Sequence, residues 1–194
     1  MVAYSRICAQ IVTQKQLTRF LKEGGDQLLI SFLLSQDHVC QKMGAFGTGN
    51  LCVQQPYRSL LVRCGATEPL CSLARSENID IEIRRSAMLA IANLAYPEEN
   101  HALFLEQKVP TILVSMCSVS YSDLRQYAAY AVANLAKNTD TRDDILKEGA
   151  VESVLFLAKT LEPEMQHIII AAVANLSFQK NIKNIFVIMV VYPR

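Results

Sequence analysis

Residues 129–138, AYAVANLAKN, set a single asparagine, Asn134, in a run of alanine, valine and leucine that reads as a buried helix. Asparagine is a weak helix former, and its amide costs free energy to bury. Its presence needs a reason, and the first clue is repetition. The same phrase returns as AMLAIANLAY at 87–96 and as IIAAVANLSF at 169–178. Asn93 to Asn134 is 41 positions and Asn134 to Asn175 is again 41, while a step of 43 back from Asn93 reaches Asn50 in the degraded copy GAFGTGNLCV. A period in the range of roughly 20–50 residues is the mark of a repeat architecture.

The rest of the unit moves in step. Fifteen residues after Asn134 comes Gly149, in DDILKEGAVESVLFLAKT, and fifteen after Asn50 comes Gly65, in RSLLVRCGATEPLCSLARS. Gly24 and Gly25 hold the matching place near the start, and at Lys108 the punctuation passes to Pro110. Each unit reads as a short helix, a break where glycine supplies left-handed backbone, a second helix, a polar turn and a longer third helix that ends on the asparagine phrase. Glu82, Asp123 and Glu164 stand eleven before their asparagines, acids suited to a first helical turn. Nothing alternates with period two, so no strand competes. The expected divisions are a partial repeat at 1–12, repeats at about 13–53, 54–96, 97–137 and 138–178, and an incomplete repeat or tail at 179–194. Such a layout reads as a piece or variant product of a longer array.

Composition narrows the function. The 194 residues are 51% hydrophobic and 19% charged with net charge +1, which lacks the basic footprint of a nucleic-acid binder. The longest apolar run, Ile185 to Tyr192, is too short for the about 20 residues that span a bilayer, so membrane contact is not expected. Six cysteines with no CxxC pair read as buried free thiols in a reducing compartment rather than as a zinc site. GAFGTGN lies inside a helix position, not after a strand, and is no phosphate loop; its glycines suggest a strained or loosely packed third helix. His38, His101 and His167 have no cysteine, serine or acid at matching repeat positions, and no catalytic residue, cofactor or metal is expected.

Units of this kind cannot bury their apolar faces alone, and stacking gives them one core. The three-helix unit of about 41 residues ending in A-x-x-N-L closely resembles the armadillo repeat, and AYAVANLAK and LKEGAVESVLFLAK look most like the β-catenin and vacuolar-scaffold branch. The resemblance implies an all-α, right-handed solenoid whose third helices line a concave groove, with the asparagines binding the backbone of an extended peptide. A primary amide suits that task, since it offers two donors and an acceptor. Stepping back by four and eight along the third helices gives the stripes Lys42/Phe46/Asn50, Arg85/Leu89/Asn93, Gln126/Tyr130/Asn134 and His167/Ala171/Asn175. The importin-type pattern, which resemblance places at the position four before the asparagine, needs tryptophan, and this chain has none. Basic residues at the stripe heads, with Arg84 and Arg125 nearby, point instead to an acidic character in the ligand.

The expected function is a non-catalytic scaffold or adaptor that binds an extended partner segment, located in the cytoplasm and extending to the nucleus. The alternatives are an import-type receptor and the substrate-binding part of a larger enzyme such as a ubiquitin ligase. The competing view of the asparagines is that each merely ties down backbone at a helix end.

Overall fold

Backbone of left-handed twist recurs at one place in each repeat. In the computed structural model, which describes residues 14–160 and 162–178, Gly24, Gly65, Lys108 and Gly149 have φ of 80°, 87°, 54° and 91°. Each N–H reaches back to close the helix before it: Gly24 to the Leu21 carbonyl, Gly65 to Val62, Lys108 to Leu105 and Gly149 to Leu146, all at 3.0–3.1 Å. Glycine takes this conformation freely, whereas a residue with a Cβ loses roughly 1–2 kcal/mol. Lys108 therefore makes the break with its own strained backbone, and Pro110 follows inside the next helix rather than replacing the break. Lys108→Gly is expected to raise stability by roughly 0.5–1 kcal/mol, the relieved strain less the extra freedom glycine has when unfolded. A fall in denaturation midpoint would contradict that expectation.

The described residues are helices and short turns, with no strand among them. They divide into two units, at residues 1–103 and 104–194. In the first lie α1 (Gln14–Lys22), α2 (Gly25–Leu33), α3 (His38–Val53), α4 (Gln55–Arg63), α5 (Thr67–Arg75) and α6 (Ile81–Leu94), followed by a 3-10 turn (Glu98–Asn100) and the start of α7 (His101–Glu106). The third helices begin where an aspartate caps them: Asp37 accepts from the Val39 N–H at 2.7 Å and Asp80 from the Glu82 N–H at 2.8 Å. Leu29, Leu61, Leu70, Ile83, Met88 and Ile91 are essentially inaccessible and form the core among α2, α3, α4, α5 and α6. Apolar burial of this kind, about 25 cal/mol per Å², is what holds short helices that would not persist alone.

In the second unit lie the end of α7, α8 (Val109–Met116), α9 (Ser122–Leu135), α10 (Thr139–Lys147), α11 (Ala150–Lys159), a 3-10 turn (Pro163–Met165) and α12 (Gln166–Leu176). Phe104, Leu113, Leu124, Leu135, Ile145 and Leu157 form its core. Glu82 and Asp123 stand in first helical turns as expected, but Glu164 lies in the 3-10 turn ahead of α12. Pro163 opens that turn without an N–H to give, and tightened 3-10 geometry is a common helix lead-in.

The loose third helix expected from Gly44, Gly47 and Gly49 is a regular sixteen-residue helix, α3. Gly44 is buried where α2 crosses, and a Cβ there would lie 2.7 Å from the Leu33 backbone nitrogen. The glycine allows close packing rather than marking its loss. The expected partial repeat at 1–12 and the segment at 179–194 lie outside the described residues.

Candidate protein-binding face

Two polar links fix the third helices of the first unit side by side. At their starts, Lys42 of α3 pairs with Glu82 of α6. At their ends, the Arg58 guanidinium donates from Nε to the Cys52 carbonyl at 2.7 Å and from Nη2 to the Val53 carbonyl at 3.2 Å, and lies 5.0 Å from the centre of the Tyr96 ring. Starts lie together and ends lie together, so α3 and α6 run parallel in register. The repeat spacing then puts equivalent residues next to one another. The second unit repeats the device. Ser122 and Arg125 at the start of α9 bond Glu162 ahead of α12, and hydrogen bonding from Ser122, with the Arg125 charge beside it, holds the Glu162 carboxyl below the ordinary range. At the far ends, Arg142 donates to the Ala136 carbonyl at 2.9 Å and the Lys137 carbonyl at 3.1 Å, and lies 5.5 Å from the Phe178 ring centre.

The stripes expected on these helices are placed as follows. In the first unit Phe46 is 48% exposed and Leu89 36%, large apolar side chains left open by stacking. Asn50 is exposed one turn beyond Phe46, Asn93 is half-buried one turn beyond Leu89, and Lys42 and Arg85 are exposed at the heads. Helical spacing of four and eight keeps each trio on one face. In the second unit Tyr130 is 39% exposed, Gln126 is half-buried and His167 is exposed. Asn134 is only 2% exposed, and Lys137 Nζ donates to its Oδ1 at 3.2 Å. Asn175 is half-buried and its Nδ2 donates to the Ala133 carbonyl of the neighbouring third helix at 2.8 Å. One amide N–H of Asn175 thus fastens α12 to α9, a use the helix-end view of the asparagines anticipated.

The charge near the stripe heads is largely committed within the protein. Arg84 is 5% exposed and its Nε donates to the Ala74 carbonyl at 3.1 Å, so it does not head a ligand face. Arg125 donates to the Val119 and Ser120 carbonyls besides pairing with Glu162. Arg84 thus closes the end of the second helix Thr67–Arg75, whose last carbonyls have no helical partner, while Arg125 ties down the turn between Met116 and Ser122.

Arg58, Arg142, Tyr96 and Phe178 were not legible as a group in the sequence. The available signal is an aromatic residue three after the asparagine, in Tyr96 and Phe178, paired with an arginine six after the carbonyl it serves. In the intervening repeat the same place is filled by Asn100 and His101, which bond the Leu94 and Ala95 carbonyls at 2.8 and 2.9 Å.

Other chemistry finds little footing among the described residues. No group of three His, Cys, Asp or Glu stands close enough to hold a metal, and no helix is long and apolar enough to cross a membrane. Cys40, Cys52, Cys64, Cys71 and Cys117 are free thiols. Burial pushes Cys71 and Cys117 up to about 12 and raises Cys52 further, so these thiols stay protonated and unreactive.

No family model matches the chain. The human armadillo repeat-containing protein 3 is 28% identical over 113 residues, a stretch that covers 58% of this chain and 13% of that relative. A computationally designed armadillo repeat protein for modular peptide recognition superposes with a TM-score of 0.85 at 22% identity, covering 94% of this chain and 76% of its own. A designed armadillo repeat protein in complex with the peptide (KR)4 gives a TM-score of 0.79 at 22% identity, covering 89% and 72%. The fold is the all-α armadillo-repeat solenoid.

Proposed function

We propose that this chain is a non-catalytic protein-binding scaffold whose third-helix faces hold an extended segment of a partner protein. The observation that carries the reading is the in-register pair Phe46–Asn50 and Leu89–Asn93 on parallel helices, with Phe46, Asn50 and Leu89 exposed and Asn93 half-buried. An exposed apolar side chain beside an amide can cover a ligand side chain while the amide meets its backbone. Helices pack roughly 8–10 Å apart and an extended chain advances roughly 3.3 Å per residue, so neighbouring asparagines meet a peptide every two or three residues. The designed relatives made for peptide recognition support the same use of the fold. In the second unit, Tyr130, Gln126, His167, Asn134 and Asn175 form the corresponding face. There Lys137 must leave Asn134 before that amide can meet a ligand, while Asn175 keeps one N–H on Ala133.

A mildly acidic segment fits best, because Lys42 and Arg85 stand at the exposed heads and the Lys42–Glu82 pair is a surface pair that a ligand carboxylate can exchange into at small cost. A lysine- and arginine-rich ligand, such as the (KR)4 of the designed complex, would meet these heads unfavourably and would find no tryptophan. The free thiols suit a cytoplasmic or nuclear setting, and the β-catenin-like character of the repeats suits an adaptor.

Alanine at Asn93 is expected to weaken a bound peptide by roughly 5- to 30-fold, the loss of one or two backbone hydrogen bonds of ~1 kcal/mol each, with the melting temperature nearly unchanged. Alanine at Asn175 is expected to lower both affinity and melting temperature, since the Ala133 bond goes with it. Peptides selected on the full chain, measured by fluorescence anisotropy beside thermal melts, separate the two effects. Unaltered affinity in well-folded Asn50, Asn93 and Asn175 variants would leave these residues as fasteners and end the reading.

A further inference from the structure

The asparagine row in the first unit has open apolar residues on both sides. Phe46 and Leu89 lie one turn before it; Val53, 64% exposed, and Tyr96, 44% exposed, lie three residues after it. Phe46 to Val53 is seven residues within α3, about 10 Å at 1.5 Å per residue, and Tyr96, seven residues after Leu89, stands just past the end of α6. The α3–α6 face therefore presents two apolar rails about 10 Å apart with a line of amides between them. The second rail is held stiffly. Arg58 is locked by the Cys52 and Val53 carbonyls and lies against the Tyr96 ring, and in the second unit Arg142 holds Phe178 by the same bonds.

We propose that Val53 and Tyr96 form a second contact rail that sets the composition of the bound segment: extended, apolar on both sides of its backbone, and without lysine or arginine over Tyr96. This rests on the third-helix face being the binding face. An extended chain laid along the amides sends successive side chains to opposite sides, so one set covers Phe46 and Leu89 and the other covers Val53 and Tyr96. Stacking on an aromatic ring ordinarily welcomes a cation. Here the ring already carries one, and Arg58 is tethered there by the two donors it places on the Cys52 and Val53 carbonyls. A second cation would share the same ring electrons and meet the fixed charge, so an aliphatic or aromatic side chain is favoured. Of the two acids that follow Tyr96, Glu98 and Glu99, the second is turned to Ser59, whose Oγ donates to it at 2.5 Å; Lys42 and Arg85 make the other end of the face basic.

The experiment is selection of random octapeptides displayed on phage against the full chain, followed by anisotropy with the winning synthetic peptides. Enrichment of apolar residues at adjacent positions, with acidic residues and depletion of Lys and Arg, is expected. Val53→Ser and Tyr96→Ala should each weaken the winners about tenfold, which is about 1.4 kcal/mol, while Tyr96→Phe keeps the stack and the affinity. Val53→Ser removes no bond within the protein, so its result does not depend on folding of the Tyr96 variants. Winners that lose affinity with Asn93→Ala but not with Val53→Ser or Tyr96→Ala overturn the second rail and leave the binding face standing. Winners indifferent to Asn93, Leu89, Val53 and Tyr96 alike overturn both, as does a selection that yields no winner. Enrichment of Lys and Arg, or of apolar residues spaced three and four apart as on a helix, also overturns the proposal.

Discussion

Arg142→Ala is expected to lower the stability of the second unit by about 2–4 kcal/mol. Arg142 is 7% exposed, and its guanidinium serves two carbonyls just past the end of α9, Ala136 at 2.9 Å and Lys137 at 3.1 Å. Hydrogen bonds from a charged donor are worth more than neutral ones, and the carbonyls left behind are partly buried at a helix end that has no other intrahelical acceptor role. Loss of the stack on Phe178 adds a smaller amount. Lysine should recover only part of the loss, because an ammonium cannot offer two parallel donors while lying flat on a ring. Thermal melts and urea titrations of Arg142→Ala and Arg142→Lys check this. A decrease below about 0.5 kcal/mol for the alanine variant would place it in the range of ordinary surface changes and remove the arginine from the scaffold of the fold.

Gly44→Ala and Gly49→Ala are expected to move stability in opposite directions although both lie in α3. At Gly44 a methyl group would sit 2.7 Å from the Leu33 nitrogen and 3.0 Å from the Phe32 carbonyl carbon. Backbone cannot yield as a flexible side chain can, so α2 and α3 must separate, and overpacking of this kind costs about 1–3 kcal/mol or more. At Gly49 the nearest atom is the Ser86 carbonyl oxygen at 3.5 Å, an ordinary contact. There alanine gains up to about 1 kcal/mol from helix propensity. The pair is a controlled comparison, since the chemistry of the change is the same and only the neighbour differs. A gain at both positions would show that α2 and α3 are not closely packed at Gly44.

Periodicity made most of the fold legible. Helical spacing is a local property, so the 41-residue step between asparagine phrases, the breaks at Gly24, Gly65 and Gly149, and the shared face of Phe46 with Asn50 follow from the order of residues. Long-range partners were not legible in the same way. Arg84, Arg85 and Lys42 look alike as basic residues near helix starts, yet Arg84 is buried against Ala74, and Lys42 pairs with Glu82 forty positions on. Nothing in the local sequence distinguishes a basic residue that meets a ligand from one that closes the end of a neighbouring helix.

The sequence by itself determined the repeat length, the helical class and the side of each third helix on which an asparagine stands, because those depend on spacing within one element. Only the tertiary structure decided what each polar group does. Asn175 and Asn134 sit at the same repeat position, but one donates to Ala133 of the adjacent helix while the other is covered beside Lys137. Lys108 takes a glycine's backbone angle because the repeat requires the break there, and Gly44 is glycine because α2 passes too close for a methyl group. The physical reason is common to all of these: a hydrogen bond, an ion pair or a steric limit belongs to two groups at once, and the second group is brought within reach by packing rather than by proximity along the chain.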